Sequence, residues 1–339
     1  MSITIAIYFL LNVIVLYFIG KISYFLKLVD IPSKRKIHTK ATAYTGGIAI
    51  SIILLLAIIW FDSFDKNMSL ILSSAFLISI VGFIDDKYTL NIGGKLSLQI
   101  IPIIYLIFFE NLNLQQIGDY NFFYADLGAF SIPFTLLSLL FLINAFNYFD
   151  GVDGILGFTT LSVFAILYFL ILQHNDHYLV TILKVEIFLI SISIPIIVFL
   201  LFNFSFLNLP KLFLGDSGSL LLGFIVSFIL IYFANQKFIH PILLAWSVVI
   251  FVYEFLSINT IRILKRKKLF QAGKDHLHHI FLKKTKSIFL TNLFISTLNV
   301  VLFSIGYLSY LIVNELASLI LFIVLFIIFF IFRNTYAKN

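Results

Sequence analysis

Apolar stretches of about 20 residues, the length that crosses a bilayer, follow one another along almost the whole of this 339-residue sequence. Hydrophobic residues make up 61% of the chain and charged residues 12%, about half the charged share of an ordinary soluble domain. Even large soluble domains cover only about three-quarters of the surface that the unfolded chain exposes, so this chain cannot hide its apolar surface in water. The sequence therefore predicts an all-α, polytopic membrane protein.

Measured against the length of a spanning helix, the chain offers about eleven spans. They are predicted at residues 4–26, 46–61, 68–84, 96–110, 132–147, 157–173, 181–202, 218–234, 240–258, 287–311 and 314–332. The first 20 residues have no basic segment and no small-residue cleavage site, which favours a retained helix over a signal peptide. No linker or fixed-period repeat interrupts the chain, so a single membrane domain over residues 1–339 is expected.

The basic residues predict the orientation of these spans. With the amino terminus outside and the carboxyl terminus in the cytoplasm, 20 of the 23 lysines and arginines fall on the inner side, and only Lys66, Lys184 and Lys237 fall outside. This asymmetry is the one that the positive-inside rule describes. The formal net charge of +7 is then a membrane feature, and it requires no nucleic-acid partner.

Polar residues on the predicted inner side are concentrated in four motifs. They are Asp85-Asp86, Asn144-x-x-Asn147-x-x-Asp150-Gly-x-Asp153-Gly, Gly215-Asp216-Ser217-Gly218-Ser219 and His276-x-His278-His279. The inner-side loops predicted to carry the chemistry are 27–45, 85–95, 147–157, 203–217 and 259–286. We expect the helix ends beside these loops to converge on one acidic, histidine-containing pocket.

The concentration of carboxylates predicts a bound cation, because grouped carboxylates repel one another and are costly to desolvate at a membrane face. The chain has no cysteine, which excludes a thiolate metal site, a disulfide framework and a cysteine nucleophile. With oxygen ligands in excess, Mg²⁺ is the expected ion and Mn²⁺ the second candidate.

Each motif also has a simpler interpretation that the sequence leaves open. Asp85-Asp86 is compatible with a solvated loop, since neighbouring residues do not share a helix face. The stretch 144–154 is compatible with a polar helix end capped by glycine. The stretch 215–219 is compatible with an ordinary N-cap, although the same helix terminus offers free N–H groups to a phosphate. Three histidines are compatible with a zinc site, but the lysines and arginines around them favour a phosphate or nucleotide.

The four motifs, in this order, resemble the motifs of the polyprenyl-phosphate N-acetylhexosamine-1-phosphate transferases. The resemblance includes the upstream stretch Asp30-x-Pro32-x-x-Arg35-Lys36-x-His38…Gly46-Gly47. The resemblance covers roughly residues 20–285. The His-x-His-His form is similar to the branch that begins O-antigen, teichoic acid or other surface glycans. Near the end of the ninth span this chain has Glu254 where the family has an aspartate. The resemblance implies a multi-pass enzyme of the bacterial inner membrane whose active site faces the cytoplasm.

The implied reaction transfers a sugar 1-phosphate from a UDP-N-acetylhexosamine to polyprenyl (undecaprenyl) phosphate and releases UMP, with Mg²⁺ as cofactor. By the resemblance, Asn147 and Asp216 bind the metal, and Asp85 and Asp86 are catalytic candidates near the lipid phosphate. An aspartate nucleophile stays open. The residues implied to place the nucleotide sugar are Asn144, Asp150, Asp153, His276, His278 and His279, of which the two aspartates are also catalytic candidates.

Other functions stay open at this stage. A phospho-N-acetylmuramoyl-pentapeptide-type transferase of peptidoglycan synthesis would use the same chemistry, although that branch usually carries consecutive histidines. A secondary transporter would place its ionisable residues near the bilayer midplane in repeated halves, whereas these acids fall at predicted inner helix ends. The identity of the hexosamine, and whether the chain forms a homodimer, are also open.

Overall fold

The structure is a computed structural model that describes residues 2–32, 40–173, 179–266 and 276–336. Most of these residues are helical. In chain order, the α-helices of the described part are α1 (Ser2–Phe25), α2 (Gly46–Trp60), α3 (Lys66–Tyr88), α4 (Ile92–Glu110), α5 (Ser131–Phe149), α6 (Ile155–Leu172), α7 (Leu179–Asn203), α8 (Gly215–Asn235), α9 (Pro241–Ser247), α10 (Val249–Leu264), α11 (Leu277–Thr285), α12 (Ile288–Ile312) and α13 (Glu315–Tyr336).

Two short antiparallel strand pairs accompany the helices. The first joins β1 (Val29–Asp30) to β2 (Thr42–Ala43), and the second joins β3 (Gln116–Asp119) to β4 (Tyr124–Asp126). The fold is therefore nearly all-α, and the strand pairs are a departure from the sequence-based prediction. In both pairs the strands have at most four residues, too short to produce a recognisable alternation of apolar and polar residues.

The helices agree with a multi-pass membrane protein. Nine of the described helices are long and apolar enough to cross a membrane, and a tenth span results if α9 and α10 are counted together. Every one of the stretches predicted from the sequence overlaps a helix, but α2 has only 15 residues, fewer than a spanning helix usually needs. The count of eleven spans and their orientation stay predictions.

The helices α9 and α10 meet at an angle of 73°, although no proline or glycine lies at the break. The side-chain amide of Asn299, in α12, forms hydrogen bonds with the backbone groups at the break. Its Nδ2 donates to the carbonyl of Ser247 (3.0 Å), and its Oδ1 accepts from the N–H of Ile250 (3.3 Å). Because an unpaired backbone group in lipid costs several kcal/mol, this amide allows the break inside an apolar region.

Contacts group the chain into two compact units, of which the first comprises Met1–Glu110 and Asp176–Val226. In this unit α1 packs on α2 and α7, α2 packs on α3 and α7, and α3 packs on α4. Two glycines bring backbones together: a Cβ on Gly47 would collide with the N–H of Gly218, and a Cβ on Gly82 would collide with the carbonyl of Asp216. The helices α2 and α3 therefore meet the start of α8 backbone to backbone.

The second unit comprises Asn111–Asn175 and Ser227–Asn339. In this unit α12 packs on α6, α9, α11 and α13, and α10 packs on α5 and α13. The pair β3–β4 lies against the start of α9, where the Nε2 of His240 donates to the carbonyl of Asp119 (3.0 Å) because its Nδ1 already accepts from the N–H of Ile242. The single membrane domain predicted from the sequence stays a prediction.

Candidate active site

The first group of predicted residues lies in the first unit, at the end of α3 and the starts of α4 and α8. The ammonium of Lys95 contacts the Oδ2 of Asp85 at 2.7 Å and the Oδ2 of Asp216 at 2.5 Å. The other carboxylate oxygen of Asp85 accepts from the N–H of Leu90 (2.7 Å), just beyond the end of α3. We call Asp85, Asp86, Lys95 and Asp216 the carboxylate cluster. It brings together two motifs that are 130 residues apart in the chain.

Asp86 caps the N-terminus of α8. Its Oδ1 accepts from the N–H of Asp216 (2.9 Å), and its Oδ2 accepts from the N–H of Ser217 (3.2 Å). Gly215 makes this approach possible, because its φ of +74° suits glycine and a Cβ would lie 2.6 Å from both the Oδ2 of Asp86 and the carbonyl of Tyr44. The start of a helix attracts an anion, and here a carboxylate of the chain itself fills that role.

This cap corrects one expectation. The sequence predicted that the terminus at 215–219 offers free N–H groups to a phosphate. In the structure, the N–H groups of Asp216 and Ser217 both donate to Asp86, so a phosphate cannot take these two groups while Asp86 keeps its place.

The carboxylate cluster fits a hard cation. Three carboxylates and one ammonium give it a formal charge of −2 when all four groups are ionised, and carboxylate oxygens are the ligands that Mg²⁺ prefers. Asp216 is more accessible than Asp85, with 35% of its side chain exposed against 11% for Asp85. Among the described residues, however, no three Asp, Glu or His side chains already stand in a ligand arrangement. The assignment of Asn147 and Asp216 to the metal therefore stays a prediction.

The second group lies in the second unit, around the end of α5 and the loop that leads to α6. Asn144 is buried, and its Nδ2 donates to the carbonyl of Leu140 (2.7 Å). The carbonyl of Asn147 accepts from the N–H of Asp150 (3.3 Å), which turns the chain out of α5. The Nδ2 of Asn292, in α12, donates to the carbonyl of Asp153 (2.7 Å) and fixes the other end of the loop.

His278 packs against this loop. A Cβ on Gly151 would overlap the Nε2 of His278, so glycine is required there for the ring to fit. His276 and His278 lie parallel, with ring centroids 5.4 Å apart, and His279 lies beside them with its centroid 4.4 Å from that of His278. We call Asn147, Asp150, Asp153 and the three histidines the loop–histidine cluster.

The imidazole of His278 is completely buried, and neither ring nitrogen has a hydrogen-bond partner among the described residues. Burial lowers the pKa of His278 well below its usual range, and the positive charges of His276, His279 and Arg333 lower it further. The ring is therefore neutral at neutral pH, with one nitrogen able to donate and the other able to accept. Buried polar atoms without partners usually mark the place of a ligand, ion or water.

The four motifs thus come together in two pairs, each within one unit: the two acidic motifs in the carboxylate cluster, and the asparagine–aspartate motif with the histidines in the loop–histidine cluster. The expectation that all four converge on one pocket stays a prediction. Basic residues predicted to lie near the chemistry but situated outside the described residues are Arg35, Lys36, Lys267, Lys268 and Lys274, together with His38.

Sequence reasoning missed the roles of three charged residues. Lys95 was counted only as an orientation residue, although a single lysine four residues into an apolar helix is itself unusual. Arg333 was counted in the same way, and Glu254 was noted only as a departure from the family. In the structure Arg333 and Glu254 form a buried ion pair. The sequence shows each of these charges isolated in an apolar helix, but it does not show that the two residues pair.

Comparison with known proteins agrees with the resemblance that the sequence motifs indicate. Residues 68–234, which include the carboxylate cluster and the loop 150–154, match the model of a protein family described as glycosyl transferase family 4. The chain is similar to the undecaprenyl-phosphate alpha-N-acetylglucosaminyl 1-phosphate transferase of Escherichia coli O157:H7, with 27% identity over 95% of this chain and 88% of the relative. It is also similar to the protein of the same name in Pasteurella multocida (strain Pm70), with 27% identity over 97% of this chain and 92% of the relative.

Proposed function

We propose that the chain is a member of glycosyl transferase family 4, whose model matches residues 68–234, and that it transfers an N-acetylhexosamine 1-phosphate from the UDP-sugar to undecaprenyl phosphate and releases UMP. The carboxylate cluster is the observation that supports the proposal most strongly, because it places three carboxylates and one ammonium, groups suited to a metal ion and a phosphate, at the ends of apolar helices. N-acetylglucosamine is the first sugar to test, since the relatives carry that sugar in their names. The membrane is the bacterial inner membrane, and the product begins a surface glycan.

In this reaction an oxygen of the lipid phosphate attacks the phosphorus that carries the sugar. A new phosphoanhydride bond forms, the bond to the bridging oxygen breaks, and UMP leaves with that oxygen. One phosphoanhydride replaces another, so the reaction is close to balanced and runs in both directions. Phosphoryl transfer depends mainly on positioning and on stabilising charge on the phosphoryl oxygens, which sets what the protein must supply.

The carboxylate cluster supplies a fixed charge arrangement. Lys95 holds Asp85 and Asp216 on either side of its ammonium, and Asp86 fixes the start of α8. We assign Mg²⁺ to Asn147 and Asp216, and an ion bound there would supply positive charge to the diphosphate oxygens. Because a lipid phosphate is already largely ionised at neutral pH, the reaction hardly needs a general base to deprotonate it. Asp85 and Asp86 keep their place as catalytic candidates.

The loop–histidine cluster suits the nucleotide sugar. The neutral ring of His278 provides one hydrogen-bond donor and one acceptor. It is buried away from solvent, where hydrogen bonds to a polar substrate are strong. Asp150 and Asp153 lie in the loop that Gly151 opens to this ring, and carboxylates there can accept from sugar or ribose hydroxyls. Asn144, on the preceding helix, keeps its predicted role in placing the nucleotide sugar, and Asn147 keeps its predicted role as a metal ligand.

Exchange of labelled UMP into a UDP-sugar tests the proposal, because it reports reversible cleavage of the UDP-sugar with UMP as the leaving group. Membranes containing the full chain are incubated with undecaprenyl phosphate, Mg²⁺ and UDP-N-acetylglucosamine, UDP-N-acetylgalactosamine or UDP-N-acetylmuramoyl-pentapeptide. We expect exchange with a UDP-N-acetylhexosamine, and none without the lipid or after chelation of the metal. Exchange with the pentapeptide donor alone would favour the peptidoglycan-type reaction. No exchange with any donor would contradict the proposal.

A further inference from the structure

A buried ion pair joins the last described helix to α10. The Nε of Arg333 donates to the Oε2 of Glu254, and its Nη2 donates to the Oε1, both at 2.9 Å. Both residues are about 99% buried, and the two parallel hydrogen bonds form the fork geometry that only arginine offers to a carboxylate. The pair lies entirely within the second unit.

Glu254 has a second task at the start of α11. Its Oε1 also accepts from the N–H of Leu277, the first residue of that helix, at 2.8 Å. The N-cap residue His276 makes no side-chain cap of its own, so the carboxylate from α10 takes over this function. A negative charge at a helix N-terminus is favourable, and it determines where α11 begins.

The start of α11 in turn determines the place of His278. The ring stands one residue beyond Leu277 and directly against Gly151, with no spare room on that side. Both ring nitrogens can serve the substrate only while the ring keeps this position. A displacement of about 1 Å in a positioned group can cost a hundredfold in rate.

Arg333 makes this arrangement possible. Without Arg333, the carboxylate of Glu254 would lose its guanidinium partner, although the Nδ1 of His276 lies 3.8 Å from its Oε1. A buried carboxylate that loses its cation destabilises the local structure or becomes protonated. Only 6% of the apolar span of α13 is buried, and the helix packs on α10 and α12. Its guanidinium is the group that pairs with Glu254.

We propose that Arg333 is a positioning residue, which acts through Glu254 and the N–H of Leu277 to hold the helix that carries His278. The kinetic part of this inference rests on the proposed function, whereas its structural part does not. Two readouts are therefore needed, one of activity and one of the position of His278.

The structural readout is the rate at which diethyl pyrocarbonate modifies each histidine of the purified full chain, measured by mass spectrometry. In the wild type His278 is buried and should react slowly. We expect R333M to raise its rate at least tenfold, while His240, which lies far along the chain beside β3, keeps its rate. The exposed Lys66, which pairs with Glu110, provides the matched control, because K66M removes a cation without touching the histidines.

The kinetic readout separates positioning from substrate affinity. We expect R333M to lower kcat about a hundredfold with little change in the KM for undecaprenyl phosphate, and R333K to recover part of kcat. The double variant E254M/R333M removes both charges, so it folds without an unpaired ion and still lacks the acceptor for Leu277. It should therefore keep the faster modification of His278.

The two readouts distinguish a failure of this inference from a failure of the proposed function. Slow modification of His278 in both R333M and the double variant would overturn the inference, even if activity is lost. Faster modification of His278 in a chain whose wild type shows no exchange would sustain the inference and contradict the proposed function instead.

Discussion

Lys95 is the residue on which the carboxylate cluster depends most. Its ammonium lies between Asp85 and Asp216, within 2.7 Å of both. Two carboxylates that face each other without a cation repel strongly. Removing the cation should therefore separate them, or leave one of them protonated, and either result changes the charge presented to a diphosphate.

We predict that K95M lowers the rate of UMP exchange at least a hundredfold. The reason is the lost pairing, since truncation of one partner leaves the others with buried, uncompensated charge. The rate is measured in membranes that contain equal amounts of protein. K66M is the matched control and should exchange like the wild type, because that lysine is 75% exposed. Wild-type exchange by K95M would remove Lys95 from the site.

A second residue-scale prediction concerns Gly151. In G151A the new methyl group would overlap the Nε2 of His278, so the ring must move away from the loop. We predict an activity loss of about a hundredfold with normal expression. G93A is the control, because its Cβ would meet only the side chain of Asn91, at an ordinary 3.6 Å. Equal activity in G151A and the wild type would show that the position of His278 does not matter.

The pKa of His278 gives a pH prediction. The folded protein holds this pKa well below the usual value of about 6.5, so the unfolded chain binds the proton more tightly than the folded one. Stability is therefore fully present above pH 6.5 and is lost as the pH falls below it. We predict a Tm that decreases between pH 7.5 and 5.5 in detergent, and a smaller decrease in H278Q. An identical decrease in both proteins would contradict a neutral buried ring.

At the scale of elements, glycine contacts fix the helices around the carboxylate cluster. We predict that G82A destabilises the protein by about 1–3 kcal/mol, the usual cost of an extra methyl group in a close contact. The obstacle is the backbone of α8 at Asp216, which cannot rotate away as a side chain could. Thermal unfolding in detergent measures the change. Because the same shift carries Asp216 away from Asp86, exchange activity should fall as well, and a stable, fully active G82A would contradict this packing.

The helices were largely predictable from the sequence, whereas their breaks and pairings were not. Long apolar runs anticipated every spanning helix, because the bilayer requires them. The bend between α9 and α10 has no local cause, since the amide of Asn299, about 50 residues away, supplies the missing hydrogen bonds. Likewise, the pairing of Glu254 with Arg333 joins residues 79 positions apart, and each charge alone had a plausible local explanation.

At the scale of the whole molecule, the orientation in the membrane is the main open prediction. The chain has no cysteine, so single-cysteine variants can be labelled without background. With a membrane-impermeant maleimide added to intact cells, we predict labelling of K66C and K237C, and labelling of K87C and K211C only after the cells are opened. The reverse pattern would place the carboxylate cluster on the side that UDP-sugars do not reach.

The motifs predicted candidate site residues, and the structure shows hydrogen bonds and ion pairs that some of them make. Asp86, predicted near the lipid phosphate, caps α8, and Lys95, counted from the sequence only for orientation, contacts Asp216. Such contacts depend on where glycines let helices approach, which apolar periodicity does not reveal.

The central claim is that the carboxylate cluster carries phosphosugar transfer. The most direct measurement is the initial rate of labelled UMP exchange into UDP-N-acetylglucosamine by the purified wild type and by D216N, in the presence of undecaprenyl phosphate and Mg²⁺. We predict steady exchange by the wild type and a rate at least a thousandfold lower for D216N, whose amide keeps the shape but loses the charge that we propose to bind the metal. Exchange by D216N at the wild-type rate would contradict the account.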